Sequence, residues 1–192
     1  MPTDEPAPQR QNSLRLRQVG VVRSPITEPS LVARSGDLSW RARAARAAQA
    51  EDTVAQIVID ASLGGILAGI EEFSHLLVLY WAHRVAPQGR SMTQAHPMGR
   101  KNLPLVGIFA TCSPARPNPI CASVARLLEH SDNVLTVRGL DAVDGSPVLD
   151  IKPYNPSYYS VPDAAVAGWM EQIYRDIANG LNASPDTEEE RS

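Results

Sequence analysis

The chain is short of several residue types, and each shortage narrows what it can be. Two cysteines, Cys112 and Cys121, are too few for a disulfide framework and lack the paired spacing of a zinc site, so thiols and no metal are expected. Lysine is nearly missing: Lys101 and Lys152 are the only two, and the remaining positive charge is arginine. No run of about 18 apolar residues occurs, which argues against a membrane-spanning helix. The start, MPTDEPAPQRQNS, has no apolar segment of the kind a signal peptide needs, so the expected location is cytoplasmic. A net charge of −3 argues against a surface coated for non-specific nucleic-acid binding but allows a local basic patch. Few aromatics beside sixteen prolines predict a loop-rich fold containing strands, and 192 residues suffice for one domain with a core.

What is present centres on Val106 to Cys121, VGIFATCSPARPNPIC. Val106, Ile108 and Ala110 alternate as in a mostly buried strand, and Ser113-Pro114 ends the run. Pro114, Pro117 and Pro119 stiffen the turn that carries Ala115, Arg116 and Asn118, so little entropy is lost if those residues bind a ligand. Two readings stay open from spacing alone: a binding loop, or a connector that only fixes a sharp corner.

The rest of the chain reads as strands and turns closed by a helix. Residues 1–13 are expected to be disordered. Leu14 to Ser24 is strand-like, Ile26 to Asp37 a loop, and Ser39 is placed to cap a helix from Trp40 through the alanine- and arginine-rich WRARAARAAQAED, an insertion at 39–52. Its Arg41, Arg43 and Arg46 suit either a solvated face or phosphate contacts. Gln56 to Asp60 is a strand and Ser62 to Ile70 a short helix or turn. Gly64, Gly65 and Gly69 do not form G-x-G-x-x-G, which excludes a Rossmann site. Phe73 to His83 is the central strand, with His75 read as a core histidine and His83-Arg84 at its exit. Val85 to Pro104 is a long polar loop. Asn133 to Gly139 is another strand, and Asp141 and Asp144 lie beside the turn glycine Gly145, where they could grip ribose hydroxyls or an amine or serve the turn alone. Pro162 to Gly180 has the period of an amphipathic helix, with Val166, Trp169, Met170, Ile173 and Ile177 on one face. The order, without crossover helices, predicts a mainly β fold: a small antiparallel β-barrel with added helices over residues 14–160, a closing helix at 161–181 and a disordered acidic tail at 182–192.

Four blocks, VGVVRSP, GIEEFSHLLVLYWAH, LVGIFATCSPARPNPI and LDAVDGSPVLDIKPY, make the chain resemble the TsaA-like, or TrmO-type, methyltransferases. The blocks span most of residues 19–156 in family order. The resemblance implies a non-Rossmann barrel, a homodimer, S-adenosyl-L-methionine as cofactor, and N-methylation of threonylcarbamoyl-adenosine at position 37 in the anticodon loop of tRNA. It places cofactor contacts on Arg34, Ser35 and Gly36, on His83 and Arg84, on Cys112, on Ala122, and on Asp141, Ala142, Val143 and Asp144. Arg116 and Asn118, in the RPNP signature, would meet the substrate. Asp144 is the expected base and Tyr154 a second candidate. Position 112 holds Cys where the family carries Arg, and Cys121 stands where Gly follows RPNPI; thiols cannot supply the forked donors of a guanidinium. That difference keeps two further readings in view: methylation of a small molecule or other acceptor, and a cofactor-binding module without catalysis.

Overall fold

The computed structural model describes residues 14–34, 36–40 and 52–179. Its strands are β1 (Gly20–Arg23), β2 (Leu31–Arg34), β3 (Asp37–Trp40), β4 (Val54–Ile59), β5 (His75–Trp81), β6 (Gln94–Ala95), β7 (Val106–Gly107), β8 (Ile120–Ser131), β9 (Val134–Arg138) and β10 (Pro147–Pro153). Six of them close the expected barrel in the order β1-β10-β5-β8-β9-β4, each neighbouring pair antiparallel. Closure leaves the sheet no unpaired edge.

The barrel forms because apolar residues recur every second position, the period of a strand with one face inward. In β5, Leu76, Val78 and Tyr80 are buried while their neighbours are half-exposed. Ala55, Ile57 and Ile59 of β4, Leu135 and Val137 of β9, Val22 of β1, Ala125 of β8 and Val148 of β10 meet them in one core. Leu140 and Ala142 fill the end of the barrel where β5 finishes, which we call the mouth, and Leu67 closes the other. Burying each large aliphatic side chain contributes about 1.5–3 kcal/mol. Bulges between Leu127 and Glu129 in β8, and between Val148 and Asp150 in β10, bend those long strands around the core.

Beside the barrel a smaller core gathers Leu38, Met92, Ala95, Ile108 and Ala115, with Leu31 and Ala33 against it. It is built from the β2–β3 hairpin, the β6–β7 pair and the segment between them. Here the structure departs from the sequence expectations. The loop expected at Ile26 to Asp37 contains β2, and Ser39 and Trp40 end β3 rather than opening a helix, because Val32↔Ser39 and Leu31↔Trp40 pair across the hairpin. The remainder of that helix, with Arg41, Arg43 and Arg46, lies outside the described residues, as do Ser35, residues 1–13 and the acidic tail. Only Val106 and Gly107 of the supposed buried strand are extended. Ile108–Ala110 turns as a 3-10 helix that Thr111 seals with its hydroxyl on the Ile108 carbonyl at 2.8 Å, leaving Phe109 78% exposed. Val85 to Pro104 is less loop-like than its polarity suggests, since it buries Met92, Ala95 and Leu103.

The closing helix runs from Gly168 to Ala178, shorter at its start than the predicted span. Residues before it form a turn, Ala164 N–H to Val161 carbonyl at 3.2 Å, and Gly168 disfavours helix propagation through it. Ile173 is buried, but Val166 and Ile177 remain half-exposed. An ion pair at 2.6 Å between Arg100 and Asp176 fastens this helix to the segment after β6. His75, expected in the core, is half-exposed at the start of β5 with Nδ1 2.9 Å from Ser74 Oγ.

Gly99 holds the small core to β3. Its φ is +72°, and a Cβ there would lie 2.2 Å from the Leu38 carbonyl oxygen. Gly99→Ala is therefore expected to cost about 2–4 kcal/mol in denaturant unfolding, whereas Gly64→Ala, with nothing within 4 Å, should change stability by less than about 0.5 kcal/mol.

Candidate functional site

The four sequence blocks meet at the barrel mouth. Val143 to Ser146 makes the turn into β10, with Gly145 at φ +80° and the Ser146 N–H donating to the Val143 carbonyl at 3.0 Å, as a turn with glycine at its third position requires. β1 ends against this turn. The Gly145 N–H donates to the Val22 carbonyl at 2.9 Å, and the Asp144 N–H to the Ile26 carbonyl at 2.7 Å. The Asp144 carboxylate accepts the Ser24 N–H at 3.0 Å, joining residues 120 apart in sequence. The exit of β5 is tied in the same way to the proline loop, the Ala82 N–H donating to the Pro119 carbonyl at 2.8 Å.

Asp141 is the best-anchored acid of the mouth. Tyr80 donates its hydroxyl to Asp141 Oδ1 at 2.7 Å, and Ser123 donates to the same oxygen. Both donors project from the inner face of the barrel because Tyr80 pairs with Cys121, and Val78 with Ser123, across β5 and β8. Burial, then the Asp141 charge, pushes the Tyr80 hydroxyl far above its ordinary range, so it remains a donor. Asp141 itself is exposed, a fixed carboxylate offered to solvent. Burial and the same carboxylate push the Cys121 thiol up to about 11, so at neutral pH it is protonated and unsuited to act as a nucleophile.

His83 is half-buried beside the turn, with Nδ1 3.3 Å from Ser146 Oγ. Burial, then the neighbouring Arg84, lowers its pKa, and Asp144 partly opposes them. Arg84 and Cys112 are exposed around the mouth, and Ala122 lies exposed on the outer face of β8 opposite Leu79. Ala142 is buried and Val143 half-buried.

The proline loop is organised by its own side chains. Thr111 Oγ1 accepts the Ser113 N–H at 3.2 Å and Ser113 Oγ accepts the Ala115 N–H at 3.1 Å. Arg116 folds back, Nε donating to the Ser113 carbonyl at 2.7 Å and Nη2 to the Thr111 carbonyl. The guanidinium thus braces the loop, and Asn118 is the exposed member of the pair. The corner-fixing reading describes Arg116.

Tyr154 does not join this cluster. Its N–H donates to the His75 carbonyl at 2.9 Å, at the far end of β5, and its ring stacks on Tyr159 at 5.7 Å. At about 3.3 Å per residue, roughly 17 Å of strand separates His75 from Tyr80. A cleft of about 410 Å³ also opens at that far end, lined by parts of residues 59–68 and by His130, Asp132 and Asn133. None of the residues singled out in the sequence for binding or chemistry lines it.

Arg34 and Gly36 flank the tip of the β2–β3 hairpin, with Gly36 at φ +79°. The hairpin is held by Asp37, a contact network the sequence reading missed. Asp37 Oδ1 accepts the Leu38 and His96 N–H groups at 2.8 and 2.9 Å, while Oδ2 meets His96 Nδ1 at 2.7 Å and the Lys101 ammonium. The signal available was weak: His96 and Lys101 lie 59 and 64 residues away.

The chain is of the closed antiparallel barrel class, with a turn, carboxylates and one imidazole at a single mouth, and is distinct from doubly wound nucleotide folds. The model of the tRNA-methyltransferase O N-terminal domain matches residues 40–160, and the chain belongs to that family. A probable S-adenosyl-L-methionine-binding protein of Archaeoglobus fulgidus is 41% identical over 83% of the chain and 38% of that protein. One from Pyrococcus abyssi is 39% identical over 81% of the chain and 76% of its own length. The tRNA (adenine(37)-N6)-methyltransferase of Escherichia coli is 37% identical over 81% of the chain and 64% of that enzyme. The crystal structure of TrmO from Pseudomonas aeruginosa superposes with a TM-score of 0.57 at 27% identity, covering 91% of the chain and 65% of TrmO. The chain thus spans about two-fifths of the Archaeoglobus protein and somewhat under two-thirds of the bacterial enzymes.

Asp37 supplies a pH-dependent prediction. Burial works to raise its pKa from 3.8, but Lys101 and the His96 and Leu38 N–H groups prevail, and the folded value is lowered well below it. A depressed carboxylate contributes stability in full above its unfolded value and loses it as pH falls toward the folded one. Between about pH 5 and about pH 2 the wild type should therefore lose more stability than Asp37→Asn, read from denaturant midpoints at each pH.

Proposed function

We propose that the chain binds S-adenosyl-L-methionine at the barrel mouth and methylates N6 of adenine at position 37 of tRNA, in the threonylcarbamoyl-modified form. The observation that carries this reading is Asp141, a solvent-facing carboxylate preset by Tyr80 and Ser123 where all four family blocks converge. Such a group fits a ligand rich in hydroxyl and ammonium donors, since the acceptor oxygens are oriented before binding. When bound, the cofactor supplies a methyl group on a positively charged sulfur. Around it we assign contacts to Arg34, Ser35 and Gly36, to His83, Arg84, Cys112 and Ala122, and to Asp141 through Asp144. Cys112 offers no cation, so the ligand carboxylate falls to Arg84 and Arg34, both exposed.

The chain's own part in transfer is alignment. A loop braced by Arg116 and three prolines moves little on binding, which favours an in-line approach of acceptor and donor. Asn118, displayed by that loop, is assigned to the substrate. Anticodon-loop bases are already single-stranded and enter a pocket at modest unstacking cost, and exposed Arg23 and Arg84 near the mouth suit the flanking phosphates. The reading includes a cytoplasmic setting, in keeping with the absence among the described residues of any helix long and apolar enough to cross a membrane. It also includes a homodimer, supported by Leu105 and Phe109, exposed beside the proline loop.

The test is incubation with methyl-labelled S-adenosyl-L-methionine and tRNA carrying or lacking the threonylcarbamoyl group, followed by nucleoside mass spectrometry. Label on the modified adenosine alone is expected; a cofactor-binding protein that labels no tRNA would point to a small acceptor instead, the reading that Cys112 favours. By calorimetry, Asp141→Ala should weaken cofactor binding about 10- to 100-fold, the worth of hydrogen bonds to a charged group, and Tyr80→Phe by less.

A further inference from the structure

The imidazole of His83 has one nitrogen tied down and the other free. Ser146 is fully buried and donates its single hydroxyl proton to the Val143 carbonyl oxygen at 2.6 Å. A carbonyl only accepts, so that proton is committed, and Oγ meets His83 Nδ1, 3.3 Å away, with a lone pair. Nδ1 must therefore carry the hydrogen of this contact. The imidazole is neutral at neutral pH, because burial and Arg84 lower its pKa more than Asp144 raises it. In a neutral ring protonated at Nδ1, Nε2 is a bare acceptor. Among the described residues no hydrogen bond reaches Nε2, and the residue it faces is Gly145, where even a Cβ would stand 3.9 Å away.

Resting on the methyl-transfer reading, we propose that His83 Nε2 is the proton acceptor of the reaction, taking the hydrogen of the adenine N6 nitrogen. As that nitrogen bonds to the methyl carbon, the carbon–sulfur bond breaks with its electron pair left on sulfur. The N–H electron pair stays on nitrogen and the proton passes to Nε2. The positive charge moves from the sulfonium to the imidazolium, which then releases the proton to solvent. Asp144 stabilises that imidazolium electrostatically while its Oδ1 holds the Ser24 N–H. This gives Asp144 a positioning and electrostatic role rather than that of the base. Arg84 and Asp144 are the charged groups bearing on His83, and Ser146 is its hydrogen-bond partner.

Two measurements test the proposal. Long-range proton–nitrogen NMR of protein labelled in histidine, without cofactor, should show His83 with hydrogen on Nδ1 and a midpoint below 6.5; its signals are identified by their loss in His83→Gln. Single-turnover transfer to the modified tRNA should fall at low pH with that same midpoint. At saturating cofactor, His83→Gln should slow it about 100-fold or more and abolish the acid limb. A hydrogen on Nε2, or a His83→Gln protein retaining both rate and acid limb, overturns the assignment. So does a variant that only binds cofactor more weakly and transfers normally at saturation, which would make His83 a cofactor contact alone and not the base. A wild-type protein that labels no adenosine fails at the earlier step, and the methyl-transfer reading falls with everything resting on it.

Discussion

The mouth of this barrel depends on the pairing of β1, a strand of four residues with a neighbour on each side. Gly20 and Val21 pair with β10, and Gly20 to Arg23 with β4. Glycine is required at the crowded end of β1, since a Cβ at Gly20 would lie 2.6 Å from the Val58 carbonyl oxygen. With β1 seated, the sheet closes, and its far end is drawn against the Val143–Ser146 turn by the bonds from Gly145 and Asp144. Without that closure, β4 and β10 would expose edges and the turn would lose the partner that fixes it.

From closure follows the electrostatic character of the site. Asp141, Asp144 and His83 lie at the same mouth, each with a side-chain hydrogen bond that holds it in place before any ligand arrives. The two carboxylates favour a cationic partner, while burial and the neighbouring Arg84, rather than the acids, disfavour a cationic His83. The proline loop beside the mouth is stiffened by its prolines and Arg116, and the hairpin beside the small core by the Asp37 network. Rigid presentation is what the proposed methyl transfer, dominated by alignment, would need.

Part of this could be read from residue order. The apolar run from Phe73 to His83 marked β5 as a central strand, the Asp-Gly pair at 144–145 marked a turn, and the lack of crossover helices marked an antiparallel sheet. The β2–β3 hairpin was harder to see, because each strand has four residues and Ala33 and Leu38 bury their faces against the small core rather than the barrel. The start of the closing helix was misjudged because its apolar period extends back through Val166, while Gly168 weakens the helix there.

The candidate site was legible as residue types and only partly as an arrangement. Arg116 has the look of a ligand-binding cation in the sequence, and nothing local predicts that its donors turn back onto the Thr111 and Ser113 carbonyls. Tyr154 follows Asp144 by ten positions, yet β10 carries it to the opposite end of the barrel. The sequence by itself determined most of the barrel strands, the turn at Asp144-Gly145 and the chemical groups, since each follows from apolar runs, proline and glycine over a few neighbouring residues. Only the tertiary structure decided that Tyr80 and Ser123 share one oxygen of Asp141 and that Ser146 meets His83 at Nδ1. Those contacts join residues 18 to 63 apart, and barrel closure, which no local pattern encodes, is what brings them within hydrogen-bond reach.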